Sequence, residues 1–445
     1  MSGSLRVGLL HFTAPPIVGG VEAIIGRQAA GLLARGHRVT VIAGRGGGFR
    51  HDVEFKFLPA LDSKYPPLLD LNRTLMRGCV PSAFAELSAE LEAALGRLLR
   101  NLDICVVHNA LTLHFNLPLT AALHRLAAAG LASGMVAWCH DLSWSNPLYA
   151  PLLYDAYPWH LLKRRAAQTT YVVVSEDRRH DLARLAGIAP DELVVIPAGV
   201  DLAQKWALGR ATVRLLAEYG LLEADPFILL PVRITRRKNI EYAIRVTGRL
   251  RGLGLRPKLL VTGPRGPHDA ASIGYVRQLE ALTAELGLGE EVILLQGRRR
   301  AAGRPWKPTD AMMDEFYRAA DLMLLPSAQE GFGIPLLEAG VVGLPVFCSD
   351  IPPLREVAGP RSVEYFRLDD PPSELADRIA HFIRSDARYG LRKRVARQFN
   401  WETIFDRRLI PLLRAVSSER SGVGGRPAAL SLAGSARVYS TVADC

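Results

Sequence analysis

Apolar residues gather in short unbroken runs, and a stretch with helical spacing follows most of them. Leu5–Phe12, Arg38–Gly44, Asp103–Asn109, Gly134–His140, Thr170–Ser175 and Leu193–Pro197 are the runs of the first half. Those of the second half lie at 227–233, 257–263, 291–297, 321–327 and 344–349. A strand that is apolar along its whole length has both faces covered, as in a parallel sheet packed between helices. Gly36 closes the first helix, from about Val21 to Arg35, as a left-handed cap. The pattern predicts an α/β chain of two doubly wound domains, 1–200 and 201–399, with a linker near Gly199 to Trp206. A helix over 400–416 follows. From Ser417 the chain is rich in Ser, Gly and Ala without apolar periodicity, so 417–445 reads as a disordered tail.

Open α/β sheets bind ligands beyond the carboxyl ends of their strands. The residues there are therefore the candidates for chemistry. After the run 321–327 comes Glu330-Gly331-Phe332-Gly333-Ile334-Pro335-Leu336-Leu337-Glu338. Proline suits the first position of a helix, and glycines let the backbone turn and approach a ligand. The free N–H groups of a helix start attract anions, and two carboxylates frame this one. After the run 227–233 come Arg233 and Lys238, a guanidinium fork and an ammonium placed to hold an anion such as a diphosphate. Arg236 and Arg237 between them read equally well as solvated surface.

Other strand ends carry weaker signals. Gly19 and Gly20 precede the first helix, and a plain turn explains them as well. His140, followed by Asp141, ends a strand and reads either as a cleft residue or as a core histidine held by Asp141. Gly263 opens a loop that includes Arg265 and His268. Arg298 to Arg300 and Arg304 read as a solvated charge run. Lys64, Arg73 and Arg77, with His108, Asn109 and His114, could form a cationic pocket for a small acidic molecule.

Taken together these residues resemble the retaining glycosyltransferases of family 4, built on the GT-B fold. Gly19-Gly20-Val21-Glu22, His140-Asp141, Pro197 to Asp201, Arg233 with Lys238, and the Glu330/Glu338 pair carry the resemblance, which runs from Leu5 to about Leu413. Ala198 stands where the family often has Asn. The resemblance implies two Rossmann-like domains facing a central cleft, and a hexose moved from a nucleoside-diphosphate sugar to a hydroxyl of a small acceptor. Arg233 and Lys238 would stabilise the leaving diphosphate without a metal, and no cofactor is implied. Glu338 would bind the donor ribose and Glu330 the donor sugar. Gly331 to Leu336, including Phe332, Gly333 and Ile334, would add backbone contacts. Gly19, Gly20 and Gly263 would line the donor, and His140 would stand near the reacting centre. Lys64, Arg73, His108 and Asn109 are the candidates for the acceptor side. An epimerase or phosphorylase on the same architecture, or a silent sugar-nucleotide-binding protein, are the alternatives.

Composition narrows the partners. The 445 residues are 49% hydrophobic, enough for two large cores. A formal charge of +11 admits nucleic acid, an anionic lipid surface or an anionic small molecule. No nucleic-acid module accompanies the charge. Peripheral membrane contact stays open, although the polar face of the helix Phe84 to Leu99 is not strongly basic. The five cysteines are widely spaced without metal-ligand spacing, which points to reduced thiols. No run approaches the roughly 18 apolar residues of a membrane span, and the chain reads as cytoplasmic.

Overall fold

The computed structural model describes residues 3–130, 134–263, 270–298 and 306–420. The chain divides into two units, Met1–Gly199 with Trp401–Cys445, and Val200–Asn400. Each is a parallel sheet with helices on both faces.

In the first unit the strands are β1 (Arg6–Thr13), β2 (Arg38–Arg45), β3 (Glu54–Phe57), β4 (Ile104–His108), β5 (Met135–Cys139), β6 (Thr169–Val173) and β7 (Val194–Val195). They are ordered β3-β2-β1-β4-β5-β6-β7. Alternate residues feed two cores: Cys105 and Val107 pack on one face, Ile104 and Val106 on the other. That is why these strands read as unbroken apolar runs. The polar edge strand β3 has no such run, and the sequence pattern does not reveal it.

Trp401, Ile404, Phe405, Leu409 and Leu413 join Val7, Leu9, Ile25 and Val41 in one of those cores. Arg35 bridges to Glu402 and Asp406, each at 2.8 Å. The last helix, Ile410–Arg420, continues past Ser417, so 417–420 is helical and not the start of a disordered tail. The remainder of that expectation, 421–445, lies outside the described residues.

In the second unit the strands are β8 (Phe227–Leu230), β9 (Lys258–Val261), β10 (Val292–Leu294), β11 (Leu322–Leu325), β12 (Val346–Ser349) and β13 (Glu364–Phe366). Their order is β10-β9-β8-β11-β12-β13. The short edge strand β13 is the second one that escapes the apolar pattern. Proline follows both central strands, Pro231 after β8 and Pro326 after β11. Proline has no N–H for the ladder, so each strand stops there and the chain leaves the sheet. Near Asn400 the helix Ala387–Gln398 is pinned from below: Lys393 and Asp321 form a buried ion pair, and Tyr389 donates to Asp225.

Candidate functional site

In each sheet the strand order reverses at one place, β1/β4 in the first unit and β8/β11 in the second. The crevice beyond the strand ends at such a reversal is where open α/β sheets bind ligands.

At the β8/β11 reversal, the loop after Pro231 carries Arg233 and then a short turn, Arg236–Lys238. Asn239 takes a left-handed conformation (φ 48°) and starts the helix Ile240–Gly252. The turn buries Lys238. Its Nζ lies 2.5 Å from Glu330 Oε1, and both side chains are about nine-tenths covered. Ser327 Oγ donates to the same oxygen at 2.6 Å. Glu330 Oε2 makes no hydrogen bond among the described residues. Arg233 is exposed, and its guanidinium has no partner among the described residues. Arg236 instead donates to Gln278 and lies over the Tyr275 ring.

The loop then enters the helix Ile334–Val342. Gly333 has φ 104°, a backbone state that favours glycine, and an added Cβ would also meet Leu354 at 2.7 Å. Gly331 has open space around it and a backbone that needs no glycine, so only one of the two motif glycines is demanded by geometry. Leu336 is buried, whereas Phe332 and Ile334 are exposed. Glu338 is exposed, and its Oε2 accepts from the Tyr317 hydroxyl at 2.5 Å. Burial, helped by this carboxylate, raises the Tyr317 pKa far above its ordinary value, so the hydroxyl stays a donor. Each glutamate thus has one oxygen held by the protein. Gly263, just beyond β9, lies against the backbone that leads to Arg233: an added Cβ would sit 1.9 Å from the Val232 carbonyl oxygen. Arg265 and His268, and Arg299, Arg300 and Arg304, lie outside the described residues.

At the β1/β4 reversal, Gly19 precedes the helix Gly20–Ala34 in an extended conformation. An added Cβ at Gly19 would meet only the Glu22 carboxylate, which Thr13 also contacts, and Gly20 faces open space. Behind this helix start lies a run of neutral polar groups. His108 Nδ1 is 3.1 Å from His140 Nε2, and His108 Nε2 is 3.0 Å from Gln28 Oε1. The two imidazoles stack at 5.4 Å. His11 Nδ1 lies 3.0 Å from the His108 carbonyl oxygen. Burial lowers the pKa of all three histidines, that of His140 to about 3. They are neutral rings at pH 7.

His108 and Asn109 are not the acceptor-facing side chains expected of them. His108 is fully buried and engaged by His140 and Gln28. Asn109 is buried with φ 59°, and its Oδ1 accepts from the backbone N–H groups of His140 and Asp141. Both set the position of the chain at His140. His140 is held by His108 rather than by the Asp141 side chain. Lys64 is exposed, and Arg73 pairs with Asp70 at 2.7 Å on an exposed helix face. Sequence reasoning missed Ser327, Tyr317, Gln28 and His11. A polar residue closing an apolar run was a signal for Ser327 alone. Among the described residues, no group of three or more His, Cys, Asp or Glu side chains is arranged to hold a metal.

Two Rossmann-like units, each carrying its polar residues at a sheet reversal, define the fold class of the GT-B glycosyltransferases. The chain matches the family model "Glycosyltransferase Family 4" over residues 18–204 and "Glycosyl transferases group 1" over residues 215–398. It belongs to this family of group 1, family 4-type glycosyltransferases. A D-inositol 3-phosphate glycosyltransferase of Nocardia farcinica is 32% identical over 184 residues, 40% of this chain and 37% of that protein. One from Mycobacterium tuberculosis is 28% identical over 265 residues, 57% of this chain and 51% of that protein. The chain therefore spans about half or less of the length of these relatives. Sucrose-phosphate synthase from Thermosynechococcus elongatus aligns with 93% of this chain and 100% of its own, at 19% identity and a TM-score of 0.36.

Proposed function

We propose that this chain transfers a hexose from a nucleoside-diphosphate sugar to an acceptor hydroxyl, with retention at the anomeric carbon and without a metal. The observation that carries the reading is the buried Lys238–Glu330 pair, its lysine on the same loop as Arg233, whose guanidinium has no partner among the described residues, at the reversal of the second sheet. A diphosphate needs convergent cations, and Lys238 keeps two further N–H donors after meeting Glu330. Glu330 and Glu338 each offer an oxygen to sugar hydroxyls, as the family resemblance assigns them to donor sugar and ribose.

In this account the bond between anomeric carbon and phosphate oxygen breaks as the acceptor oxygen bonds to the same face of that carbon. The acceptor proton passes to the departing phosphate. Negative charge grows on that phosphate, and preorganised cations stabilise it more than they stabilise the ground state. His140, neutral through burial and held by His108, can hydrogen-bond without adding charge. Of the relatives, those named D-inositol 3-phosphate glycosyltransferase support transfer to a hydroxyl of a phosphorylated polyol as the starting acceptor class.

The test is a transfer assay over UDP-, GDP- and ADP-sugars with a pool of acceptors, read by mass spectrometry. One donor is expected to yield a product heavier by a hexose residue. Release of free nucleotide with isomerised sugar and no transfer product would favour the epimerase alternative.

A further inference from the structure

The first unit holds a cavity that the chemistry above does not use. It lies between the helix Pro66–Leu75, the loop after β4 and the segment around Trp159, and encloses about 280 Å3. Leu75, Met76, Leu117, Leu152 and Trp159 make its wall mostly apolar. Asn72 and His114 supply a polar end. Ser143 Oγ lies 2.8 Å from His114 Nδ1, so Nε2 is the ring nitrogen without a partner among the described residues. This is the region read from sequence as a cationic pocket; its lining is instead mostly apolar, and Lys64, Arg73 and Arg77 are not part of it.

The chain segments that form the cavity also carry exposed apolar side chains. Met76, Val80, Leu148, Tyr154 and Tyr157 are exposed, Met76 by 57% and Leu148 by 78%. Tyr154 joins two of these segments to the cavity: its hydroxyl donates to the Met76 carbonyl at 3.1 Å, and its ring lies 4.9 Å from that of Trp159. Single exposed apolar side chains are ordinary, but a contiguous group around an apolar cavity marks a binding surface. Tyrosines with apolar bodies and wet hydroxyls suit a lipid–water boundary. Lys64 and Arg77 are the chain neighbours of the lining residues Ser63 and Met76. Both are exposed, and neither has an anionic partner among the described residues.

We infer that this cavity takes a hydrocarbon chain of an anionic lipid, with the loop 76–80 and the segment 148–157 resting on the lipid surface. The wall fits the chain, and Lys64 and Arg77 fit the anionic head group. A free polyol phosphate would leave the apolar wall without a partner. Taking the lipid as the acceptor rests on the transfer reading above; the binding does not.

Trp159 supplies the test. Bromine on an acyl chain quenches indoles close to it, here Trp159 and its neighbour Trp144, whose Nε1 donates to the Trp159 carbonyl at 3.2 Å. The full chain is titrated with vesicles of phosphatidylglycerol and phosphatidylcholine whose acyl chains carry bromine. Brominated anionic vesicles are expected to lower tryptophan fluorescence relative to unbrominated ones, and the quenched component is expected to shrink in Trp159→Phe. The exposed variant Met76→Glu, with unchanged circular dichroism, is expected to lose vesicle binding, as is Lys64→Glu with Arg77→Glu. Absence of vesicle binding, equal quenching in wild type and Trp159→Phe, or equal binding to purely zwitterionic vesicles would overturn the inference. Vesicle binding by a chain that binds no nucleotide would leave it standing while the transfer reading fell.

Discussion

Lys238 Nζ and Glu330 Oε1, 2.5 Å apart, join the loop after β8 to the loop after β11 across the reversal of the second sheet. The pair is nearly closed off from solvent, so its members act as a unit. Removing one partner of such a pair costs about 3–5 kcal/mol, because the other is left charged and buried. Lys238→Ala is therefore expected to lose stability as well as ligand affinity, and Arg233, which is exposed, is the cleaner probe of the cationic site.

The two glutamates are expected to respond differently. Glu330→Gln weakens the hold on Lys238 and, on the proposed reading, removes charge beside the reacting sugar, so it should lower kcat. Glu338→Gln should mainly raise the donor KM, since the proposed ribose contact would be made equally before and during reaction. Steady-state kinetics decide this. Wild-type kcat with a raised donor KM in Glu330→Gln would remove its role at the reacting sugar.

Gly263→Ala tests whether Arg233 is placed by the backbone beneath it. The added Cβ would lie 1.9 Å from the Val232 carbonyl oxygen, so the loop must move. A loss of roughly 1–3 kcal/mol in urea denaturation is expected from such overpacking, together with weaker nucleotide binding. Unchanged stability and affinity would show that the loop yields freely.

The buried histidines give a pH signature. Burial lowers the pKa of His11, His108 and His140, the last to about 3. The unfolded chain binds protons at these rings below about pH 6.5, whereas the folded chain resists at all three, and down to far lower pH at His108 and His140. Their contribution is fully present above about pH 6.5 and is lost as pH falls from there toward 3. The slope is up to about 1.4 kcal/mol per pH unit for each ring. Denaturation at pH 7.5, 6.5 and 5.5 should show falling stability, with a shallower fall in His140→Asn. A flat wild-type profile would contradict the neutral cluster.

On the proposed reading, in which Arg233 and Lys238 supply the charge that a divalent ion would, activity is expected to persist in excess chelator. Loss of turnover in chelator, restored by magnesium or manganese, would contradict this.

The central strands were legible because both faces of each are covered, so they read as unbroken apolar runs, whereas β3 is polar with no buried residue and β13 is only three residues long. Arg233, Lys238, Glu330 and Glu338 could be found because prolines and glycines mark where strands end and helices begin. What the sequence could not supply was side-chain direction. His108 and Asn109 stand at a strand end like His140, yet they point into the protein and fix it from behind. Gln28 and Tyr317 reach their partners across 80 and 21 residues of chain, on helices whose facing no spacing rule specifies. The cavity beside Trp159 is built from three separate segments, and only their folded proximity makes its apolar lining visible.

The most direct test of a nucleoside-diphosphate site at the second sheet is calorimetric titration of wild type and Arg233→Ala with UDP, GDP and ADP. One nucleotide is expected to bind the wild type. A charge-assisted hydrogen bond worth about 1.5–3 kcal/mol predicts roughly ten- to hundredfold weaker binding by Arg233→Ala, with circular dichroism unchanged. Equal affinity in the two proteins, or no binding of any of the three nucleotides to wild type, would contradict the account.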